Sequence, residues 1–213
     1  MHHPLPQLLM ASLDGLGSFV FALSGAVVAV QKRFDIFGVL VLAVVVAVAG
    51  GTMRDVLIGA VPPASITNWH DVVIAIGAGL LTFYIYPLIH SLQRDVLVLD
   101  AIGLAVFAVT GTEKALAYGI DPGMAAVLGM ISGIGGGMVR DVLAREIPFV
   151  LRADLYALAA LAAAGIVAIG HVLGVTPLYP ILLGAVVCVL LRMMAIYRGW
   201  RAPLARWGGD RVR

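Results

Sequence analysis

Charged residues are rare in this sequence, and several of them recur at one fixed spacing. Asp14, Arg54 and Asp55 return 86 positions later as Asp100, Arg140 and Asp141. All six lie in or beside apolar sequence, where an ionised Asp costs about 2.5–3.5 kcal/mol at a bilayer centre and less near an interface. Ionisable groups in such surroundings pair with one another or line a polar pathway for ions. Hydroxyls recur with them, since Ser24 and Thr110 each precede an aligned glycine, Gly25 or Gly111. A hydroxyl beside a glycine suits a pore wall, and equally a hydrogen bond between helices.

Glycine accompanies the charges. Gly50-Gly51-Thr52-Met53 leads into Arg54-Asp55, and Ser132-Gly133-Ile134-Gly135-Gly136-Gly137-Met138-Val139 leads into Arg140-Asp141. Each glycine in a helix interior costs about 1 kcal/mol relative to alanine. A run of three therefore points to a kink or a short unwound stretch. Freed carbonyls at such a break attract cations, and freed N–H groups attract anions. The alternative is close packing, because Gly129, Gly133 and Gly137 also form a stripe of small residues. Neighbouring residues on a helix point in different directions. The expected ion pairs therefore run between the copies, Arg54 to Asp141 and Arg140 to Asp55. The competing expectation is that each Arg extends to its own membrane face. Asp14 and Asp100 line the two vestibules, or simply complement helix starts. Glu113 and Lys114 break the symmetry, since valines occupy their place in the first copy. Lys114 is a voltage-sensing or gating candidate against a simpler role at a solvated helix end.

The elements that hold these residues follow from composition. Of 213 residues 62% are hydrophobic and 12% charged, with a mean hydropathy of +1.04. Soluble domains carry about 25% charged residues, so an ordinary soluble enzyme is excluded. At about 20 residues per crossing, the chain divides into seven apolar runs: Leu8–Val30, Ile36–Gly59, Val72–Ile89, Val96–Tyr118, Pro122–Ala144, Leu155–Val172 and Tyr179–Tyr197. The connections are too short for a soluble domain. One membrane domain over 1–198 is expected, with repeat one at about 8–90, repeat two at about 96–172 and a seventh helix at about 179–197. A basic tail follows at 199–213. The first run lacks a cleavable-signal pattern and is expected to stay as a helix. Lys32, Arg33, Arg94, Arg145 and Arg152 fall in alternate loops. The positive-inside rule then puts the N-terminus outside and the C-terminus in the cytoplasm. Three spans per copy is an odd number, so the second copy enters the membrane from the opposite side. The expected fold is all-α: two inverted three-helix repeats and a seventh helix, with helices 2 and 5 kinked.

Other chemistry is sparse. Cys188 stands alone and reads as a small buried hydrophobe. His2 and His3 sit at the terminus, while His70, His90 and His171 lie singly, so no triad or metal-spaced cluster emerges. No enzyme activity, cofactor or nucleic-acid partner is expected. Membrane lipids are the expected surroundings.

The doubled motif resembles the prokaryotic branch of the trimeric intracellular cation channel family, which overlaps a bacterial family described as glycine transporters. The resemblance rests on Asp100-Ala101-Ile102-Gly103-Leu104-Ala105-Val106-Phe107, on Gly135 to Leu143, on Arg145-Glu146-Ile147-Pro148 and on the degenerate copy at Gly50 to Leu57. It covers about Leu8 to Arg198. It implies a homotrimer in the bacterial inner membrane, with one pathway per protomer for potassium and also sodium. Spans one, two, four and five would bound that pathway. Ala49 stands where the second copy has Gly135, so the two kinks are expected to be unequal. The lysine-rich lipid-binding stretch of the animal members is not evident. In the expected mechanism carbonyls, Thr52 and Ser132 replace lost water, and Arg54 or Arg140 gates. Secondary transport of a small zwitterion such as glycine is the alternative, because half-helix ends suit both solutes.

Overall fold

A computed structural model describes residues 4–86, 93–152 and 155–198, with side chains over 10–86, 96–151 and 155–198. The tail at 199–213, the histidines at 2, 3 and 90, and the side chains of Arg94 and Arg152 lie outside the described residues. The described chain is all-α: α1 (Pro4–Gln31), α2 (Ile36–Leu57), α3 (Ala64–Thr67), α4 (His70–Ile85), α5 (Gln93–Ala117), α6 (Pro122–Leu143), α7 (Phe149–Arg152), α8 (Tyr156–Val172) and α9 (Leu178–Arg198). Five of these are long and apolar enough to cross a membrane, and α4 and α8 are shorter apolar helices. Large apolar side chains such as Phe37, Leu81, Leu158, Leu183 and Leu190 lie exposed on the outside. That pattern suits lipid, not water.

The repeat is visible in the way each helix begins and ends. Asp35 Oδ1 accepts from Gly38 N at the start of α2, and Asp121 Oδ1 accepts from Gly123 N at the start of α6. The ends of α1, α2, α5 and α6 each close with a residue at positive φ: Arg33 (60°), Gly59 (75°), Gly119 (77°) and Arg145 (57°). Offset by 86, Arg33 pairs with Gly119 and Gly59 with Arg145. Each of the four is followed by an N–H that reaches back to the last turn, as Phe34 N does to Ala29 O and Glu146 N to Asp141 O.

Between the ends, small residues set the packing. Phe21 stacks on its repeat mate Phe107, with ring centroids 5.3 Å apart. Gly17 lies under the Phe107 ring, and its counterpart Gly103 lies under Phe21. A Cβ on Gly50 would come within 2.1 Å of the Ser132 carbonyl oxygen. The mirror contact is Gly136, whose Cβ would lie 2.8 Å from the Val46 oxygen, and Val46 is the counterpart of Ser132. These reciprocal contacts place a pseudo-two-fold axis between α2 and α6, with Phe21 and Phe107 astride it. The seventh helix, α9, lies outside the repeat and packs on α8 through Gly184, which abuts the Ala163 carbonyl.

The unwound stretch expected at the glycines is absent. Residues 36–57 and 122–143 are each α-helical throughout. Close packing explains the glycines instead. Gly50, Gly133, Gly135, Gly136 and Gly137 all bring their backbone to within a Cβ's width of a neighbour, and backbone approach offsets the helical cost of glycine. Gly51 differs, since its Cβ would meet nothing nearer than 3.8 Å. Two segments expected as plain loops contain the short helices α3 and α7, at corresponding places in the two repeats.

Candidate functional site: two buried charge clusters

Each repeat buries an Arg-Asp pair at the last turn of its second helix. Arg54 is 2% exposed, Asp55 1%, Arg140 0% and Asp141 5%, so neither Arg extends to a membrane face. The pairing expected between the copies is also absent. Arg54 Nε donates to Asp55 Oδ1 at 2.9 Å, and Arg140 Nε donates to Asp141 Oδ1 at 2.8 Å. The guanidinium curls back onto its chain neighbour, because its long stem overrides the divergence of adjacent Cβ directions. Exchange would require both Arg at one place. The antiparallel crossing of α2 and α6 instead sets them at opposite ends.

The Asp of each pair also organises the chain that follows. Asp55 Oδ2 accepts from Ala64 N, at 3.0 Å, at the start of α3. Asp141 Oδ2 accepts from Phe149 N, at 2.9 Å, at the start of α7. One carboxylate therefore ties the end of a long helix to the short helix folded back over it.

Beyond these shared bonds the clusters differ. In the second repeat Arg140 Nη1 donates to Asp100 Oδ1 at 2.7 Å and to Ser24 Oγ at 2.5 Å. Its guanidinium also lies 5.5 Å from the centre of the Phe149 ring. Asp100 and Ser24 are both fully buried. At the first-repeat pair, Lys114 Nζ reaches in from α5 of the second repeat and donates to Asp55 Oδ1 at 2.8 Å, so Lys114 is tied to the cluster and is not merely a solvated helix end. Asp14, the counterpart of Asp100, lies mid-helix in α1, and among the described residues no ion pair joins it to Arg54. A cavity of about 30 Å³ stands there, lined among others by Asp14, Ser18, Thr52, Arg54, Asp55 and Asp71. Thr52 Oγ1 lies 2.8 Å from Ser65 Oγ on its wall. A wider cavity of about 330 Å³, lined by Asp55, Pro62, Thr67, Lys114 and Tyr118, shares Asp55 with it.

The structure thus gathers Asp14, Gly51, Thr52, Arg54, Asp55 and Lys114 around two adjoining cavities, and Ser24, Asp100, Arg140 and Asp141 into a closed cluster. Gly50, Thr110, Ser132, Gly133, Gly135, Gly136 and Gly137 line neither cavity and sit in helix crossings. Asp71 was not singled out in the sequence, because its repeat mate is Ala157 and it reads as an ordinary charge at a helix start. Arg192 lies in α9, outside the repeat. It is 3% exposed and lies 4.6 Å from the centre of the Tyr156 ring. Its four-residue spacing from buried Cys188 was the available signal, since that puts both on one helix face.

Fold and clusters together define an integral membrane protein built from an inverted repeat. A family model described as glycine transporter matches residues 11–87 and again 97–172, once per repeat. The chain is 41% identical over 205 residues to the UPF0126 inner membrane protein YadS of Escherichia coli K12, covering 95% of this chain and 98% of that one. It is 39% identical over 198 residues to a UPF0126 membrane protein of Deinococcus radiodurans, covering 91% of each. Among solved structures, the TRIC trimeric intracellular cation channel orthologue from Rhodobacter sphaeroides superposes with a TM-score of 0.87 at 34% identity, covering 90% of this chain and 98% of that one. A prokaryotic TRIC channel in 0.5 M KCl superposes with a TM-score of 0.86 at 31% identity, covering 91% and 98%. The chain belongs to this family of bacterial membrane proteins, which joins the glycine transporter model and the UPF0126 proteins to the prokaryotic TRIC channels.

Proposed function

We propose that the protein is a monovalent cation channel, passing potassium and also sodium, with one pathway in each protomer of a homotrimer. The observation that carries this reading is the charge around the smaller cavity. Three carboxylates, Asp14, Asp55 and Asp71, face one guanidinium, Arg54, and Lys114 offsets part of Asp55. One formal negative charge remains in excess, which favours a cation in a low-dielectric site. The volume of about 30 Å³ suits a water or a bare ion. Likeness to channels described as trimeric supports the assembly.

A second reading, transport of glycine or a similar zwitterion, draws on the same lining. Arg54 would hold a carboxylate while Asp14 and Asp71 hold an ammonium. The family model's description also favours it, but the small volume disfavours it in this conformation. The proposed setting is the bacterial inner membrane, as for the E. coli relative. Residues 1–198 form one membrane domain there and 199–213 a cytoplasmic tail, with the N-terminus outside. Purified protein in a planar bilayer under a potassium gradient tests the proposal. Discrete current steps that reverse near the potassium potential are expected. Electrical silence with saturable glycine uptake into proteoliposomes would overturn it in favour of the second reading.

A further inference from the structure

The two repeats treat one corresponding space differently. Asp14, Ser18, Gly51 and Arg54 line the cavity of about 30 Å³ in the first repeat. Their counterparts at the offset of 86 are Asp100, Leu104, Gly137 and Arg140. Beside Gly51 there is room, since a Cβ would meet nothing nearer than 3.8 Å. Beside Gly137 a Cβ would lie 2.6 Å from Tyr156 Oη and 2.8 Å from Asp100 Oδ1. A tyrosine therefore fills in the second repeat what the first leaves empty. Tyr156 is 2% exposed. Its counterpart is His70, which is exposed and stacks on Trp69 instead.

The last helix holds that ring. Arg192 of α9 is 3% exposed, and its guanidinium lies 4.6 Å from the centre of the Tyr156 ring. A cation over an aromatic face binds it more strongly when both are out of water. Arg192 also completes the local charge. Asp100 and Asp141 pair with Arg140 and leave one negative charge over, which Arg192 cancels. The first cluster keeps its excess negative charge. The ring is nevertheless packed and not tied. Tyr156 Oη, Arg192 Nε and Asp100 Oδ2 are buried with no hydrogen-bond partner among the described residues. Burying a polar atom unpaired is costly, so these groups gain partners once water reaches them.

We propose that Tyr156 is a plug in the pathway and that Arg192 is the residue that positions it. The conformation described is closed at the second repeat, where the ring sits against Gly137. Withdrawal of the ring opens beside Gly137 a space like the one beside Gly51, and water enters to satisfy the bare atoms. The polar route then continues past Asp100 as it does past Asp14, and both ends stand open together. Tyr156 lies in the first turn of α8, on the cytoplasmic side in the proposed topology, so the plug closes that end. The tight crossing of α2 and α6 stays as it is. The seventh helix thus has a task beyond packing. The plug rests on the reading that a cation pathway runs through each protomer.

Thiol accessibility in protein reconstituted into vesicles tests the plug without a current. Cys188→Ala supplies a background without native thiols. Leu104→Cys, at a fully buried position, reports on the plugged space, and Ser18→Cys on its open counterpart. Val39→Cys, also fully buried, reports on general loosening. Labelling by a small cationic methanethiosulfonate reagent is expected to be fast at 18 and slow at 104 and 39. Tyr156→Ala should speed labelling at 104 by about tenfold or more, as a space open only in a minor state becomes permanent, and leave 18 and 39 unchanged. Tyr156→Phe keeps the ring and should stay slow at 104. Arg192→Met keeps a long stem and should speed 104 by about threefold or more. Arg192→Lys returns a cation to the ring and should reverse that gain. The plug is overturned if labelling at 104 stays slow in Tyr156→Ala, rises equally at 39, or is as fast in Tyr156→Phe. Labelling at 104 unchanged by Arg192→Met overturns the role of α9. If Tyr156→Ala does not fold, the two Arg192 variants decide the matter. Currents in a planar bilayer separate the plug from the channel reading. Tyr156→Ala should raise the open fraction, whereas faster labelling at 104 in a protein that passes no current keeps the plug and refutes the channel.

Discussion

At the scale of single residues, the sequence left the glycines between a break in the helix and close packing, and the structure shows close packing at most of them. Gly50 and Gly51 separate the two roles. A methyl at Gly50 would lie 2.1 Å from a backbone oxygen, which cannot move aside cheaply, whereas one at Gly51 meets nothing nearer than 3.8 Å. Gly50→Ala should destabilise the protein by about 1–3 kcal/mol or more through overpacking. Gly51→Ala should be neutral or stabilise it by up to about 1 kcal/mol, the helix propensity gained. Thermal unfolding of the two variants in detergent is the measurement. Equal losses at both would mean that residues 50 and 51 form a functional break and not a packed crossing.

At the scale of elements, the helix ends carry the clearest compromise. The same left-handed cap closes α1, α2, α5 and α6, yet glycine occupies it at two ends and arginine at the other two. Glycine takes positive φ freely, while an L side chain there costs roughly 1 kcal/mol. Arg33 and Arg145 close α1 and α6, which end on the same side of an inverted repeat. Gly59 and Gly119 close α2 and α5 on the other. Strain is accepted where positive charge anchors the cytoplasmic side in the proposed topology. Arg145→Gly should therefore raise the unfolding temperature, by an amount equivalent to about 0.5–1 kcal/mol. The same variant should lower the fraction of chains inserted in the correct orientation. A fall in unfolding temperature would show that Arg145 holds a contact outweighing its strain.

At the scale of the whole molecule, seven spans leave the two ends of the chain on opposite sides of the membrane. Charge in the connections chooses which side is which. Lys32 of the first connection pairs with Glu146 of the fifth, so those two loops share one face. A fluorescent protein that matures only in the cytoplasm should shine when fused after Arg213 and stay dark when fused before Met1. An exported phosphatase should give the reverse pattern. Signals from both fusions, or the opposite pattern, would reject the proposed orientation.

Much of the fold was legible because membrane sequences carry few polar residues, and each is informative. The offset of 86 appeared in Asp, Arg, Gly and Pro, whose recurrence in apolar sequence is hard to ascribe to composition. Seven spans, an inverted repeat and an unpaired last helix followed from it. The spacing also singled out Asp14, Arg54, Asp55, Asp100, Arg140 and Asp141, the residues that make the two clusters. It could not say which of them touch. An Arg side chain is long and flexible enough to reach its neighbour, its repeat mate's neighbour or the membrane face, and the choice depends on where the surrounding helices leave room. Tertiary structure alone decided that each Arg turns back on its own Asp, that Asp55 holds Lys114, and that one cluster is sealed while its twin borders a cavity. A repeat in sequence specifies two halves that can adopt the same arrangement. Only packing determines whether they do.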